Sequence, residues 1–425
     1  MLMKKDELKL LWPYYVYLFF EHFLGIAPIV WVVYFNLNGF SFTEVSISLA
    51  VFTAAIFIFE IPTGALADIF GRKKTVLAAY LLFGLLPLTV PFINSFFWLV
   101  ALNVAWGFAT TLASGAQEAL VIDFLNHKNK KNLIEEFYAK SSSFLALGGI
   151  LAGLLLSGLL LIFPTENKYA ILGHTFLGID IVWLVQGIGM LFVSLIILFF
   201  ISEVHFKRKK EKNMIKEFIK SFKVSKEGFK YAVRHPVLIY LMVASAIAVF
   251  VSQLWFTSYQ PFLVLNHLEI KTFGFLYTIV AGVGVFIPLL AKHLAGKFKS
   301  KKNYFALMAL AELLWFSAVF FFVGPVLAFV FYLVSVNIFR FISPIYSPYF
   351  QKHVPSEMRA TVTSVDSMFS SAAATISLLI TGVLIDSFGP RTTVFISAFI
   401  YIPTIILFLR IKDDNKYPSD KAQHN

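Results

Sequence analysis

Four ionisable side chains interrupt long apolar stretches of the sequence: Glu21, Glu60, Glu118 and Arg340. A charge in hydrocarbon-compatible sequence is expensive, and it persists where it pairs, carries a proton or holds a ligand. At a rise of about 1.5 Å per helical residue, Glu21 lies about 12 Å from Pro13 and Glu60 about 12 Å from Asp68. By the same measure Glu118 lies about 15 Å from Lys128 and Arg340 about 18 Å from Lys352. All four therefore fall in the inner half or middle of a bilayer. A guanidinium stays charged, so Arg340 calls for a carboxylate, with Glu118 and Glu21 as candidates. Two readings fit. In a switchable pair, protonating the glutamate frees the arginine for an anionic group, or a cationic substrate displaces the arginine. In a permanent ion pair, the charges only position helices. Glu60, just before Pro62, reads as structural. His22 neighbours Glu21 but points about 100° away and reads as packed or interfacial. Asp366, about 7 Å from the inner boundary, reads as a gate contact.

These residues share faces with other polar groups. Asn103, Gly107, Thr110, Ser114 and Glu118 recur at three and four, as do Asn337, Arg340, Pro344, Ser347 and Gln351. Gln253, Thr257 and Gln260 do the same, with Trp255 and Tyr259 nearby. Polar stripes in a lipid-soluble chain should face water or another helix. Tyr17 and Tyr346 fall near such stripes and are candidates, with Trp255 and Tyr259, to line an apolar site.

The elements that must position them are membrane helices. Of 425 residues, 58% are hydrophobic and only 14% charged, against about a quarter charged in a soluble domain; the mean hydropathy is +0.77. Spanning hydrocarbon takes about 20 apolar residues. Such segments occur near 13–37, 43–67, 75–93, 96–125, 141–163, 176–201, 237–263, 271–294, 303–323, 325–350, 361–386 and 390–410. Alternate loops carry 32 of the 36 Lys and Arg, the other loops only Lys168, Lys271 and Arg391, and Arg340 lies within a helix. That asymmetry puts both termini in the cytoplasm and explains the net charge of +12 without nucleic acid. The first apolar run is too long for a signal-peptide core and no cleavage site follows it, so it reads as a retained first helix.

The chain contains no cysteine, hence no disulfide, thiolate metal site or cysteine nucleophile. The histidines show no paired ligand spacing, and no phosphate-binding loop provides for ATP. No cofactor or metal is expected. The basic segment 202–236 divides the chain into 1–201 and 237–425, six helices each. Within it Met214, Ile215, Phe218, Ile219 and Phe222 suggest an amphipathic helix on the inner leaflet; a plain solvated linker is the alternative. The loop 164–175 carries no interpretable motif.

Between the second and third segments stand Gly64, Asp68, Gly71, Arg72 and Lys73. Their order and spacing resemble the signature loop of the major facilitator superfamily, and a degenerate copy, Gly296-Lys297-Phe298-Lys299-Ser300-Lys301-Lys302, follows the eighth segment. The resemblance implies an all-α integral membrane protein, twelve transmembrane helices in two pseudo-symmetric six-helix bundles. It also implies that helices 1, 4, 7 and 10 line a central cavity, where Glu21, Glu118 and Arg340 would lie. The loop would be a cytoplasmic latch, with Asp68 at the N-terminal end of helix 11 near Arg359, and Arg72 reaching Asp123. Gly64 would let helices 2 and 11 approach, and Gly71 would permit the turn.

Glu60-Ile61-Pro62-Thr63-Gly64, Ser114-Gly115-Ala116-Gln117-Glu118-Ala119-Leu120 with Asp123, and Arg359-Ala360-Thr361 with Ser364 look like a prokaryotic branch near the drug–proton antiporters. The Gly-Pro motif usual on helix 5 of those antiporters is here Gly148-Gly149-Ile150-Leu151-Ala152-Gly153, without the proline. Gly149 and Gly153 keep a small-xxx-small spacing suited to close helix contact.

The expectation is therefore a monomeric, multi-pass cell-membrane transporter. It would move a small organic solute by alternating access, coupled to protons, with export of amphipathic or drug-like compounds favoured. Proton-coupled uptake of a polar or anionic metabolite is the alternative, since Arg340 suits a carboxylate. A non-transporting sensor or assembly partner on the same fold ranks below both, and a membrane-embedded enzyme lower still, because no cluster of His and Asp and no nucleophile motif is present.

Overall fold

The structure, a computed structural model, describes residues 5–171, 173–203, 229–355 and 358–411, apart from the side chains of Lys5, Asp6, Ile61, Asp68 and Ala360. The amphipathic helix expected around Met214 to Phe222 lies outside the described residues.

The chain is almost entirely helical: α1 (Lys5–Leu24), α2 (Trp31–Leu37), α3 (Phe42–Phe70), α4 (Arg72–Thr89), α5 (Phe96–His127), α6 (Leu133–Ile162) and α7 (Ile181–Phe200), then α8 (Leu238–Leu265), α9 (Phe273–Gly284), α10 (Ile287–Gly296), α11 (Lys301–Ser317), α12 (Pro325–Ile338), α13 (Ser343–Lys352) and α14 (Arg359–Arg410). Local chemistry sets the ends. Ser41 and Glu44 form a reciprocal capping box at the start of α3, with Ser41 N donating to Glu44 Oε2 at 2.9 Å, which satisfies end amides that a helix leaves free. Gly324 (φ 84°) precedes Pro325 at the start of α12. Gly389 (φ 79°, ψ 163°) precedes Pro390 inside α14, a conformation only glycine adopts at low cost.

Among the described residues ten helices are long and apolar enough to cross a membrane, and α1 with α2 forms a further span bent by 43°. The stretch Thr361–Arg410 has 50 residues, about 75 Å of helix against a hydrocarbon core of about 30 Å. Its break at Gly389 divides it into two crossings, so the twelve expected spans are present among the described residues. Three depart from the straight segments read in the sequence. The first begins at Lys5 and bends through a 3-10 turn, Ala27–Ile29. The eighth breaks between α9 and α10, and the tenth is interrupted by a 3-10 turn, Phe339–Phe341. Proline explains all three. A proline lacks the amide that would bond the carbonyl four residues earlier, and its ring clashes there. Pro28, Pro288 and Pro344 stand four residues after Leu24, Gly284 and Arg340, the positions at which the helices stop or turn.

By internal contacts the chain forms two units, Met1–Phe218 with Leu263–Gly282, and Ile219–Phe262 with Val283–Asn425. In the first, α1 packs on α6 and α7, α5 on α3 and α4, and α4 on α7. Its core centres on the buried rings of Tyr14, Tyr15, Tyr17 and Tyr80 with Val121, Val193 and Ile197. Gly153 on α6 lies directly against Gly274 on α9, where a Cβ on either would meet the other's backbone oxygen. Thr278 Oγ1 donates to Ile150 O at 2.8 Å and Phe275 N to Ser157 Oγ at 3.0 Å, so small residues let backbones approach and hydroxyls tie the crossing. Gly149 has only the Tyr277 hydroxyl near, 3.7 Å from where its Cβ would stand.

The loop that carried no motif is a β-hairpin, β1 (Lys168–Ile171) antiparallel to β2 (His174–Leu177). Asp180 anchors it, accepting from Leu177 N at 2.7 Å and from Tyr34 OH at 2.5 Å. In the second unit α11 packs along α14, and Trp255, Phe262, Phe316, Phe331 and Tyr332 form one aromatic cluster.

Candidate functional site

In the first unit the chemistry gathers where α1, α4 and α5 meet. Glu21 is half-buried. Gln117 Nε2 donates to Glu21 Oε2 at 3.3 Å and to Tyr80 OH at 3.3 Å, and Tyr80 and Tyr17, both buried, meet edge to face at 6.1 Å. The carboxylate therefore sits among an amide and phenols, and neither Lys nor Arg pairs with it among the described residues. Glu118, one position from Gln117, is exposed and accepts from Tyr138 OH at 3.5 Å. Glu60 is exposed beside Ser114 Oγ at 3.4 Å. Asn103 is buried and spends its amide on Leu99 O of its own helix, at 3.0 Å. Gln117 and Tyr80 were not among the sequence candidates. Gln117 flanks Glu118 in the quoted motif, but nothing in the sequence of α4 marks Tyr80.

At the end of this unit that carries the basic loops, Gly71 turns the chain with φ 100° and ψ 146°, the left-handed side that favours glycine. Arg72 forms an ion pair with Asp123 and donates from Nη1 to Ala119 O at 3.0 Å. Arg72 N donates to Glu203 Oε1 at 2.6 Å, and the Glu203 carboxylate packs where a Cβ on Gly71 would be. An anion at the start of α4 meets free amides and the positive end of the helix dipole. Glu203 was missed; its signal is that a helix start with three cations and no acid leaves that place open. Lys73 Nζ donates to Leu198 O at 2.7 Å. The side chain of Asp68 lies outside the described residues. Apart from its own helical backbone, no described atom lies within 4 Å of where a Cβ on Gly64 would stand. Beside this hairpin's unit core, Glu7 is completely buried, accepts from Tyr15 OH at 3.0 Å and pairs with Lys140.

In the second unit Arg340 is exposed on the Phe339–Phe341 turn. It makes no ion pair or hydrogen bond among the described residues. Its guanidinium lies against Gly284, with Cζ 2.7 Å and Asn337 Oδ1 3.2 Å from where a Cβ on that glycine would stand. Asn337 donates from Nδ2 to Leu333 O at 2.8 Å and leaves Oδ1 buried without a partner among the described residues. Gln260 is buried and donates to Tyr259 OH at 3.0 Å, while Gln253 is half-buried. Trp255 is 3% exposed, packed in the aromatic cluster, and Tyr259 stacks on Tyr332 at 5.1 Å. Asp366 is half-buried beside Tyr346 with Oδ1 unpartnered, and Arg359 is exposed. Glu312, overlooked in the sequence, is fully buried next to Tyr401 on the α11–α14 contact, its oxygens outside hydrogen-bonding geometry.

At the entry to α8, His235 Nδ1 accepts from Val237 N and Leu238 N, each at 3.3 Å. Burial, and then the nearby His353, lowers its pKa from the usual 6.5. Among the described residues no group of three or more His, Asp or Glu could hold a metal ion.

The Major Facilitator Superfamily family description matches residues 11–378. A Bacillus subtilis (strain 168) protein named as the uncharacterized MFS-type transporter YxaM is 24% identical over 413 residues, covering 94% of this chain and 96% of that protein. The nucleoside transporter NupG superposes with a TM-score of 0.74 at 13% identity, over 96% of this chain and 100% of that one. A bacterial homologue of the human lysosomal transporter Spinster, inward-facing and unoccupied, gives 0.71 at 15% identity, over 96% and 98% of the two chains. A D-xylose–proton symporter gives 0.69 at 13% identity, over 96% and 99%. At such identities these structures speak for the fold alone. A family match over most of the chain, with twelve apolar spans to carry it, places the protein in the major facilitator superfamily, as a multi-pass membrane transporter of small molecules and not an enzyme.

Proposed function

We propose that the protein is a proton-coupled carrier of a small polar organic solute, working as a monomer in the cell membrane with both termini in the cytoplasm, and that Glu21 carries the proton. The observation that carries this is the Glu21–Gln117–Tyr80 cluster. A carboxylate in a membrane span is costly without a cation; held by an amide and flanked by phenols, it exchanges a proton at less cost than it would in bare hydrocarbon. Glu118, exposed and loosely held, is the second carboxylate to test. The nucleoside, xylose and Spinster-like neighbours are compatible with a range of solutes. Two of the four aromatic residues read as candidates to line an apolar site, Trp255 and Tyr259, are engaged in packing, which leaves the polar side chains as the better guide. One feature still favours export of amphipathic compounds: an apolar groove on α3 and α5 lined by Phe59, Phe97, Val100, Val104 and Phe108, suited to a molecule arriving from lipid.

The test is purified protein in liposomes with an imposed pH gradient, screened against polar and amphipathic panels. Solute-dependent proton flux is expected in the wild type and absent from Glu21→Gln, with exchange of labelled solute across the membrane retained. Full coupled flux in Glu21→Gln together with its loss in Glu118→Gln would move the proton to Glu118. Flux indifferent to the gradient would remove proton coupling.

A further inference from the structure

The second unit contains a membrane-embedded arginine with none of its donors used among the described residues, placed where two helices break. Pro288 and Pro344 remove the amides that would bond the carbonyls of Gly284 and Arg340, and both spans interrupt there, α9 ending at Gly284 and α12 giving way to the turn at Phe339–Phe341. Irregular backbone at membrane depth is tolerated where it lines protein or a water-filled cavity, and paired broken helices mark ligand sites in carriers. The guanidinium lies on Gly284, at the carbonyl end of α9, where the helix dipole favours a cation. This fixes one face of the fork and leaves its other donors free. Close by, Asn337 is 4% exposed and its Oδ1 has no partner among the described residues; its own amide is committed to Leu333 O, so the remaining atom can only accept. A buried acceptor left unpaired is costly, and so is a guanidinium without an anion.

A ligand that answers both needs carries an anion and, within a bond or two of it, a donor. We infer that Arg340, Asn337 and the break after Gly284 form a two-point site for a carboxylate with a hydroxyl or ammonium group on the adjacent carbon, the Arg340 fork taking the carboxylate and Asn337 Oδ1 the donor. The inference deepens the proposal that the cargo is a small polar solute and rests on it. Glycine at 284 belongs to the site, because any side chain there occupies the place of the guanidinium. The carboxylate gains paired charge-assisted hydrogen bonds from a planar fork, and the donor tells such acids from simple ones.

The experiment is equilibrium binding to purified detergent-solubilised full-length protein, independent of transport. The probes are 2-hydroxy and 2-amino acids of two to nine carbons, each matched with its amide and with the acid lacking the 2-substituent. At least one acid is expected to bind, with its amide and its unsubstituted partner each weaker by about tenfold or more. Arg340→Gln should abolish the acid-over-amide preference, and Arg340→Lys should weaken it while keeping charge and fold. Asn337→Leu should abolish only the preference for the 2-substituted acid, and Gly284→Ala should lose both. Thermal melting and gel-filtration profiles identify any variant that fails to fold, in which case Arg340→Lys and Asn337→Leu decide. A wild type that binds none of the acids, binds acid and amide alike, or keeps its preferences in the variants overturns the inference. Binding that follows the expected pattern while liposome flux ignores the pH gradient would remove proton coupling and leave the site standing.

Discussion

Glu7 and Lys140 show what a charge costs when it is enclosed. Glu7 is fully buried, Lys140 nearly so, and Tyr15 OH supplies a second bond to the carboxylate. Such a pair contributes little net stability, because desolvation offsets attraction, but removing one member strands the other. Lys140→Met should therefore destabilise the protein by about 3–5 kcal/mol. The double change Glu7→Met with Lys140→Met should recover most of that, read as the midpoint of thermal or denaturant unfolding in detergent. Equal losses in single and double variants would show that the pair acts through packing instead. Neither residue stood out in the sequence. Glu7 lies in a charged N-terminal stretch that reads as a solvated end, and Lys140 among loop cations that membrane orientation already explains. Burial of this kind arises from tertiary contact between α1 and α6, which no local pattern encodes. Glu312 escaped for a related reason: one acid barely alters the hydropathy of a span whose other residues are apolar.

At the scale of elements, helix ends were readable where the chemistry is local. The Ser41–Glu44 box, Gly71 and the Gly324–Pro325 and Gly389–Pro390 pairs all stand in the sequence at the boundaries observed. The breaks at Gly284 and Arg340 were written there too, in Pro288 and Pro344. Membrane helices often accommodate proline, however, as α3 accommodates Pro62, so proline alone does not say which helix breaks. The start of α8 depends on a titratable cap. His235 Nδ1 accepts from two backbone amides, which requires a bare ring nitrogen. Protonation would replace that acceptor with a donor facing the positive end of a helix. The folded-state pKa lies below the usual 6.5, so the unfolded chain binds more protons below that value. The contribution is complete above pH 6.5 and is lost as pH falls through the lowered value. Melting of the wild type should drop between pH 7 and pH 5. In His235→Asn, whose amide oxygen can cap without titrating, the drop should be smaller. An unchanged pH dependence in that variant would show that His235 does not control it.

For the molecule as a whole, orientation and cycling are the properties to establish. The cation asymmetry of the loops argues that Lys131 faces the cytoplasm and the hairpin at 168–177 faces outward. The chain has no cysteine, so Lys131→Cys and Glu166→Cys, both at exposed positions, give clean reporters in whole cells. An impermeant thiol reagent should label Glu166→Cys only, and the reverse pattern would invert the topology. The hairpin between α3 and α4 then poses the question of whether its charges merely anchor the loop or control the cycle. Magnitudes separate the two. The Arg72–Asp123 pair is partly exposed, 31% and 56% for the two side chains, and pairs of that kind contribute about 0–1 kcal/mol. Arg72→Gln should therefore leave unfolding almost unchanged. Glu203 would still cap the start of α4 through the backbone amide of residue 72, which the substitution keeps. If the hairpin is a latch, turnover in liposomes should nevertheless fall severalfold in Arg72→Gln and in Asp68→Asn, with solute Kd nearly constant, because a gate changes the exchange between states and not the contacts of the bound solute. If the charges are anchors, turnover should survive both changes as well as it survives Lys74→Gln, an exposed cation of the same hairpin. A raised Kd with normal turnover would place Asp68 and Arg72 in the binding site and contradict a latch.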